Sequence, residues 1–179
     1  MPGMDRTTLA ATIFDRAHLT GEFLLRSGQV SNEYFDKYRF ESEPALLRQI
    51  AAALADLVPA DTEVLAGLEL GGVPLAVALG QVTGLPTAFV RKAAKPYGTR
   101  KVSEGSDVAG RRVLVIEDVV TSGGQVVASS ADLRALGADV HQALCVIDRQ
   151  AGGPAALAAV GVELRALFTM DELKRAGGA

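Results

Sequence analysis

Short apolar blocks alternate with amphipathic stretches along most of the chain. The block at residues 113–116, Val-Leu-Val-Ile, has no polar break, which is typical of a strand buried on both faces of a parallel sheet. Similar blocks predict further strands at residues 63–66, 86–90, 140–147 and 163–168. Apolar residues at helical spacing predict helices at residues 7–19, 44–57, 75–82 and 126–136, then from Pro154 and at 170–175. This alternation predicts the α/β class, with a mostly parallel central sheet flanked by helices on both faces.

Residues 20–40 show a different pattern, with short apolar stretches interrupted at Ser27-Gly28 and at Ser31-Asn32. Such interruptions predict a small hairpin ahead of the main sheet, which we term the N-terminal hood. Taken alone, the hood is best interpreted as an edge hairpin whose aromatic residues, Tyr34 and Phe35, anchor it to a core.

The length of 179 residues predicts a single domain, residues 1–179, that can bury a substantial core. Hydrophobic residues make up 49% of the chain, yet no apolar run is long enough to cross a bilayer or to act as a secretion signal. We therefore expect a cytoplasmic protein without a membrane partner. Cys145 is the only cysteine, so an intrachain disulfide is excluded, and its apolar neighbours predict a buried side chain.

Positive charge is concentrated in one short stretch of an otherwise acidic chain. The net charge of −3 argues against a general nucleic-acid binder. Residues 91–101 nevertheless carry a charge of +5, which leaves −8 on the rest of the chain. Pro96, Gly98 and Gly105 interrupt this stretch and predict an exposed, mobile loop or hairpin suited to attracting a polyanion. The cations of this basic loop are Arg91, Lys92, Lys95, Arg100 and Lys101.

A glycine-rich turn follows the most apolar strand. Glu117 and Asp118 are expected to end that strand, and Thr-Ser-Gly-Gly then leads into a helix. Glycines bring backbone N–H groups close to a ligand, and a helix N-terminus favours an anion. Two carboxylates beside such a turn accept hydrogen bonds from sugar hydroxyls, so the arrangement suits a sugar phosphate. The plainer interpretation is an acidic turn with an ordinary helix cap. We term residues 119–125 the cradle, and its residues are Val119, Val120, Thr121, Ser122, Gly123, Gly124 and Gln125.

Two further turns end predicted strands of the same sheet. Residues 69–72, Glu-Leu-Gly-Gly, join a strand to a helix, where the glycines either direct backbone amides towards an anion or simply fit a tight turn. Asp148 and Arg149 follow another strand and form either a surface ion pair or a ligand contact. Parallel strands end at the same edge of a sheet, so we expect both turns to lie beside the cradle.

The order of strand, acid pair, Thr-Ser-Gly-Gly and helix resembles the phosphoribosyl diphosphate (PRPP) motif of the type I phosphoribosyltransferases. The basic loop, with its Arg-Lys-x-x-Lys-x-Tyr-Gly sequence, resembles the catalytic loop of the orotate phosphoribosyltransferases. The sequence Asp-Arg-Gln from Asp148 and the aromatic pair of the hood are also similar to this family. The resemblance covers nearly the whole chain and implies the type I phosphoribosyltransferase fold.

The resemblance implies roles for individual residues. Arg91 and Lys95 would bind the diphosphate, and Lys92 would reach the site of a neighbouring subunit, which implies a homodimer with shared active sites. Tyr97 stands where some members have histidine, and Arg26 where some have lysine. The implied catalytic residues are Arg91, Lys92, Lys95 and Asp118. The implied PRPP ligands are Arg91, Lys92, Lys95, Tyr97, Glu117, Asp118 and the cradle. The implied orotate contacts are Tyr34, Phe35, Thr121 and Arg149. The implied pyrophosphate loop is Glu69, Leu70, Gly71 and Gly72, without the lysine that many relatives carry there.

The implied reaction joins orotate and PRPP to give orotidine 5′-monophosphate and pyrophosphate in pyrimidine (UMP) biosynthesis. Mg²⁺ is the implied cofactor, bound mainly through PRPP rather than by protein ligands. Two alternatives stay open at this point: a phosphoribosyltransferase for another base, such as a purine, and a PRPP-sensing regulator. A regulator is expected to carry a DNA-binding extension, for which the chain is too short, or a basic RNA-binding face, of which there is no sign outside the basic loop.

Overall fold

The fold is built on a six-stranded sheet and a separate two-stranded hairpin. The computed structural model describes residues 3–98 and 101–179, so Arg100 of the basic loop lies outside the described residues. In chain order the first elements are α1 (Arg6–Ala17), β1 (His18–Leu24), β2 (Val30–Phe35), α2 (Tyr38–Glu41), α3 (Pro44–Ala55), β3 (Val64–Leu68) and α4 (Gly72–Thr83). They are followed by β4 (Thr87–Val90), β5 (Ser103–Gly105), β6 (Arg112–Val120), α5 (Gly124–Ala135), β7 (Asp139–Asp148), α6 (Gly153–Ala158), β8 (Glu163–Thr169) and α7 (Met170–Gly177).

The strands of the main sheet lie in the order β5-β4-β3-β6-β7-β8. Every neighbouring pair is parallel except β4 with β5, which run antiparallel. The centre of the sheet is the pair β3 and β6, whose carboxyl ends reach the same edge. The predicted mostly parallel sheet is therefore confirmed.

Helices cover both faces of this sheet. On one face α1, α3, α4 and α7 form a core in which Ile50 and Leu79 share a cluster with Ile116. On the other face α5 and α6 form a core in which Leu133 and Leu157 share a cluster with Val115. Successive side chains of a strand point to opposite faces, so the neighbours Val115 and Ile116 belong to different cores. Both cores pack against β6, and this packing fixes the position of the turn that follows the strand.

The hood is the antiparallel pair β1 and β2, and it forms a sheet of its own. It begins directly after α1, and the amide of Asp36 donates a hydrogen bond of 2.8 Å to the carbonyl of Ala17 at its base. Beyond β2 the chain enters α2, where Phe40 is fully buried in the core under α1 and α3. The hood is thus held at its base, and its tip, with Leu24 and Val30, is exposed.

The structure corrects some of the predicted boundaries. The expectation that Glu117 and Asp118 end their strand is wrong, because β6 continues to Val120 and remains paired with β7 over this stretch. Two short elements, α2 and β5, were not predicted, since neither is long enough to show a period. Cys145 is fully buried, as predicted. The helices of the described part of the chain include none with the length and apolar character needed to span a membrane.

Candidate active site

A cavity of about 340 Å³ lies at the carboxyl edge of the main sheet. Ligands of α/β proteins bind at this edge, outside the ends of the strands. Residues from the hood, the turn after β3, the basic loop and the cradle line its wall. The lining residues are Arg26, Lys37, Tyr38, Glu69, Leu70, Lys92, Glu117, Val119, Val120, Thr121, Ser122, Gly123, Gly124, Gln125 and Val126.

The cradle is formed where β6 passes into α5. Gly123 has a φ of +83°, a left-handed conformation that favours glycine, and a Cβ there would lie 2.5 Å from the Cδ1 of Leu157. The helix then begins at Gly124, so its first N–H groups have no partner within the helix. Thr121 and Ser122 are exposed beside these amides. The turn therefore presents backbone and hydroxyl donors to an anion in the cavity.

The two acids of β6 occupy different environments. Glu117 lines the cavity, whereas the side chain of Asp118 is fully buried. Asp118 Oδ1 accepts a hydrogen bond of 2.6 Å from the amide of Val119, and its Oδ2 lies 2.7 Å from Lys37 Nζ. Asp118 therefore forms an ion pair with the segment that follows the hood.

Gly71 makes room for this buried carboxylate. A Cβ on Gly71 would lie 1.8 Å from Asp118 Oδ2 and 2.8 Å from Glu41 Oε1. Both distances are well below van der Waals contact, so no side chain fits at this position while the two carboxyl groups occupy it. The missing lysine of the pyrophosphate loop thus has a steric explanation at position 71.

Three carboxyl groups and one ammonium meet beneath the cavity, and we term them the acid–lysine cluster. Burial, together with the charge of Asp118, raises the pKa of Glu41 to about 9 and the pKa of Glu117 to about 8. Burial acts in the same direction on Asp118, but its pairing with Lys37 outweighs it and lowers the pKa of Asp118. The same pairing outweighs the burial of Lys37 and raises the pKa of the ammonium. These shifts favour an ionised pair of Lys37 with Asp118 and the protonated forms of Glu41 and Glu117.

The turn after β3 contacts the start of the basic loop. Glu69 Oε2 accepts a hydrogen bond of 2.9 Å from the amide of Lys92, and both residues line the cavity. Leu70 also lines the cavity, and 62% of its side chain is exposed. The predicted pyrophosphate loop and the predicted catalytic loop are therefore adjacent.

Two cations of the basic loop are paired with an acid that the sequence did not single out. Lys95 Nζ lies 2.5 Å from Glu104 Oε1, and Arg91 Nε lies 3.8 Å from the same oxygen. Glu104 belongs to β5, so the loop is a hairpin closed by the pairing of β4 with β5. Arg91 and Lys95 do not line the cavity, and the side chain of Tyr97 is exposed.

Of the predicted orotate contacts, Thr121 lines the cavity, whereas Tyr34, Phe35 and Arg149 do not. The amide of Arg149 donates a hydrogen bond of 2.9 Å to the carbonyl of Val120, which places the end of β7 beside the cradle. Tyr34 packs against Phe23 within the hood, with ring centroids 5.6 Å apart. Phe35 is partly buried against the core under α1.

Comparison with known proteins decides the family. The family model of the phosphoribosyl transferase domain matches residues 39–161. The orotate phosphoribosyltransferase of a Nocardioides species is 53% identical over 169 residues, which cover 94% of this chain and 94% of that protein. The chain belongs to the orotate phosphoribosyltransferase family.

Solved structures of this family share the fold described above. The orotate phosphoribosyltransferase of Mycobacterium tuberculosis in complex with Fe(III) dicitrate aligns with a TM-score of 0.87 and 31% identity, over 95% of this chain and 99% of that chain. The same enzyme in complex with PRPP aligns with a TM-score of 0.82 and 28% identity, over 95% and 99% of the two chains. The predicted fold and family are both confirmed.

The sequence of this family member did not reveal every residue on the cavity wall. Lys37 and Tyr38 were not predicted as site residues, although both line the cavity. The only feature of the sequence that could have indicated these two residues is a charged residue followed by an aromatic one directly after the hood, where the chain returns towards the main sheet. Arg26 was noted for its difference from some relatives, and the structure places it on the same wall.

Proposed function

We propose that the chain transfers the 5-phosphoribosyl group of PRPP to orotate, giving orotidine 5′-monophosphate and pyrophosphate. The observation that carries this proposal is the single cavity wall on which an anion-binding cradle, the carboxyl group of Glu117 and the turn after β3 come together. The family relationship supports it, as does the PRPP complex of the M. tuberculosis relative. The whole chain, residues 1–179, would act as one catalytic domain, with the cytoplasm as its predicted location.

The cradle is the proposed site of the 5′-phosphate. Its donors are the free amides at the start of α5 and the hydroxyls of Thr121 and Ser122. Glu117, next to the cradle on the same strand, is placed to bond the ribose hydroxyls. Asp118, the next residue, is buried beneath the cavity wall and paired with Lys37. The sugar is thus fixed at both its phosphate and its hydroxyl groups, which lowers the entropic cost of reaching the transition state.

The basic loop is the proposed site of the leaving diphosphate. During the reaction the bond between ribose C1 and the diphosphate oxygen breaks and its electron pair stays with the diphosphate. A ring nitrogen of orotate bonds to C1, and its N–H proton passes to water. Negative charge therefore grows on the diphosphate, where Arg91, Lys92 and Lys95 can stabilise it. Arg91 and Lys95 have to leave Glu104 to do so, since both are paired with it. Closure of the loop over the cavity would also keep water from PRPP.

The donor atoms of the site fit the proposed cofactor, Mg²⁺. In residues 3–98 and 101–179 there is no group of three or more His, Cys, Asp or Glu side chains able to hold a metal ion. Glu69 and Glu117 do place carboxyl oxygens on the cavity wall. Mg²⁺ is usually held by one or two carboxylates together with substrate phosphates and water, so Glu69 suits a metal that arrives with PRPP. When bound, Mg²⁺ supplies positive charge to the leaving diphosphate.

We propose further that the enzyme is a homodimer in which Lys92 serves the partner's site. Exposed apolar side chains, Leu70 on the cavity wall and Val77 and Val82 on α4, support self-association. Sedimentation velocity should then give a mass of twice the 18.6 kDa of one chain. Mixing Lys92→Ala chains with chains inactivated in the cradle by Thr121→Ala and Ser122→Ala should restore activity at one site of the mixed dimer. Failure to recover activity would argue against sharing.

The deciding experiment for the activity is a substrate comparison. Purified protein with PRPP and Mg²⁺ is assayed against orotate, hypoxanthine, xanthine and adenine, and we expect turnover of orotate alone. Turnover of a purine in place of orotate would refute the assignment of the base. The variant Lys92→Ala should lose about 100-fold or more in kcat with a modest loss in PRPP binding, because it removes charge stabilisation in the transition state. Normal turnover in this variant would contradict the proposed role of Lys92.

A further inference from the structure

Lys37 joins the N-terminal segment to the floor of the cavity. It directly precedes α2 and lines the cavity, and 34% of its side chain is exposed. Its ammonium lies 2.7 Å from Asp118 Oδ2. An ammonium has three donor hydrogens, and the pair with Asp118 uses one of them. The others are available to a ligand in the cavity.

The position of this ammonium is set by the pyrophosphate loop. Asp118 Oδ2, the partner of Lys37, lies where a Cβ of Gly71 would be. Residues 69–72 therefore contribute no cation of their own at this point, and Lys37 provides positive charge beside them. Among the described residues that line the cavity, the cations are Arg26, Lys37 and Lys92.

The protonation of Glu41 affects whether an anion can bind beside Lys37. Its side chain is 7% exposed, and its Oε1 has no hydrogen-bond partner. Three ionised carboxylates beside the cavity would repel a diphosphate. Burial raises the pKa of Glu41 to about 9 and that of Glu117 to about 8, which favours their protonated forms. The pKa of Asp118 is lowered, so this group carries the negative charge that Lys37 balances.

We propose that Lys37 is a PRPP-binding residue that donates hydrogen bonds to the diphosphate while it remains paired with Asp118. The assignment to the diphosphate rather than the 5′-phosphate follows from its place beside Gly71, on the pyrophosphate-loop side of the cavity, and it rests on the proposed function. The cradle and Lys37 would then hold opposite ends of the same substrate.

Calorimetry in the presence of Mg²⁺ tests this assignment with two ligands, PRPP and ribose 5-phosphate. A hydrogen bond from a charged donor is worth about a 10- to 100-fold change in affinity, so Lys37→Met should weaken PRPP binding by that factor. Binding of ribose 5-phosphate, which has no diphosphate, should stay within about 2-fold of wild type. The control is Arg39→Met, which removes the same charge from an exposed position of α2 outside the cavity lining and should change neither affinity.

Two results would overturn the proposal: unchanged PRPP affinity in Lys37→Met, or equal losses for both ligands, which is the result of a purely structural role. The side-chain amide of Lys37→Gln can still donate a hydrogen bond to Asp118, but it has no charge. If Lys37→Met does not fold, the affinities for PRPP and ribose 5-phosphate are compared in Lys37→Gln instead. Absence of PRPP binding in the wild type is a different outcome, because it refutes the proposed function and this inference together.

Discussion

Replacing Gly71 by alanine tests the close packing beneath the cavity. The new Cβ would lie 1.8 Å from Asp118 Oδ2, whereas ordinary contact begins at 3.4 Å, so the carboxylate has to move by roughly 1.6 Å. That movement separates it from Lys37 Nζ, now 2.7 Å away. Breaking a fully buried ion pair costs about 3–5 kcal/mol. Because the Lys37 side chain is 34% exposed, we expect a loss of about 2–4 kcal/mol in the free energy of unfolding.

Urea unfolding followed by circular dichroism measures this loss. In thermal unfolding, the same loss should lower the melting temperature of a chain of this size by roughly 5–15 °C. Gly124→Ala is the matched control, since Gly124 also starts a helix after a strand and its Cβ would meet only Ser122 Oγ, at 3.8 Å. The control should unfold within about 1 kcal/mol of wild type or be slightly more stable. If Gly71→Ala unfolds at the same urea concentration as wild type, the steric argument for position 71 is wrong.

Two more predictions concern charge. Burial raises the pKa of Glu41 from 4.5 to about 9, so the native state holds a proton that the unfolded state has lost, and stability falls as the pH rises through this range. Glu41→Gln has no carboxyl group to titrate, so its stability lacks this pH dependence. In urea titrations, the difference in the free energy of unfolding between Glu41→Gln and wild type should therefore grow in favour of the variant from about pH 5 to about pH 9. A difference that stays constant over this range would contradict the raised pKa. Glu104→Gln should free Lys95 and Arg91 and tighten PRPP binding by up to about 5-fold in calorimetry, because ion pairs near the surface contribute little. A weaker affinity in this variant would show that Glu104 itself serves the substrate.

The main sheet could be predicted because its signals are local. An apolar block such as residues 113–116 indicates a buried strand by itself, and helical spacing identifies the crossovers between strands. The rule that parallel strands end at one edge then predicted that the cradle and the turn at Gly71 would be neighbours, as the structure places them.

The buried ion pair could not be predicted from the same signals. Glu117 and Asp118 looked like the polar end of a strand, since two adjacent acids are normally solvated. Asp118 is paired with Lys37, which is remote in sequence and lies between the hood and α2. Lys95 is likewise paired with Glu104, on the other side of the basic loop. Such pairs form between residues that are close in the folded structure. The periodicity of a sequence does not show which residues these are.

The hood and the residues that follow it bring side chains to the site from outside the matched domain. The match to the general phosphoribosyl transferase domain starts at residue 39, whereas Arg26 and Lys37 precede it. Both residues belong to a segment that hydrogen-bonds to itself and forms no strand of the main sheet. Substitutions in the hood, residues 18–35, leave the strand order of the main sheet in place, which makes this hairpin, rather than the buried α1 before it, the part of the site to vary when a new acceptor base is sought.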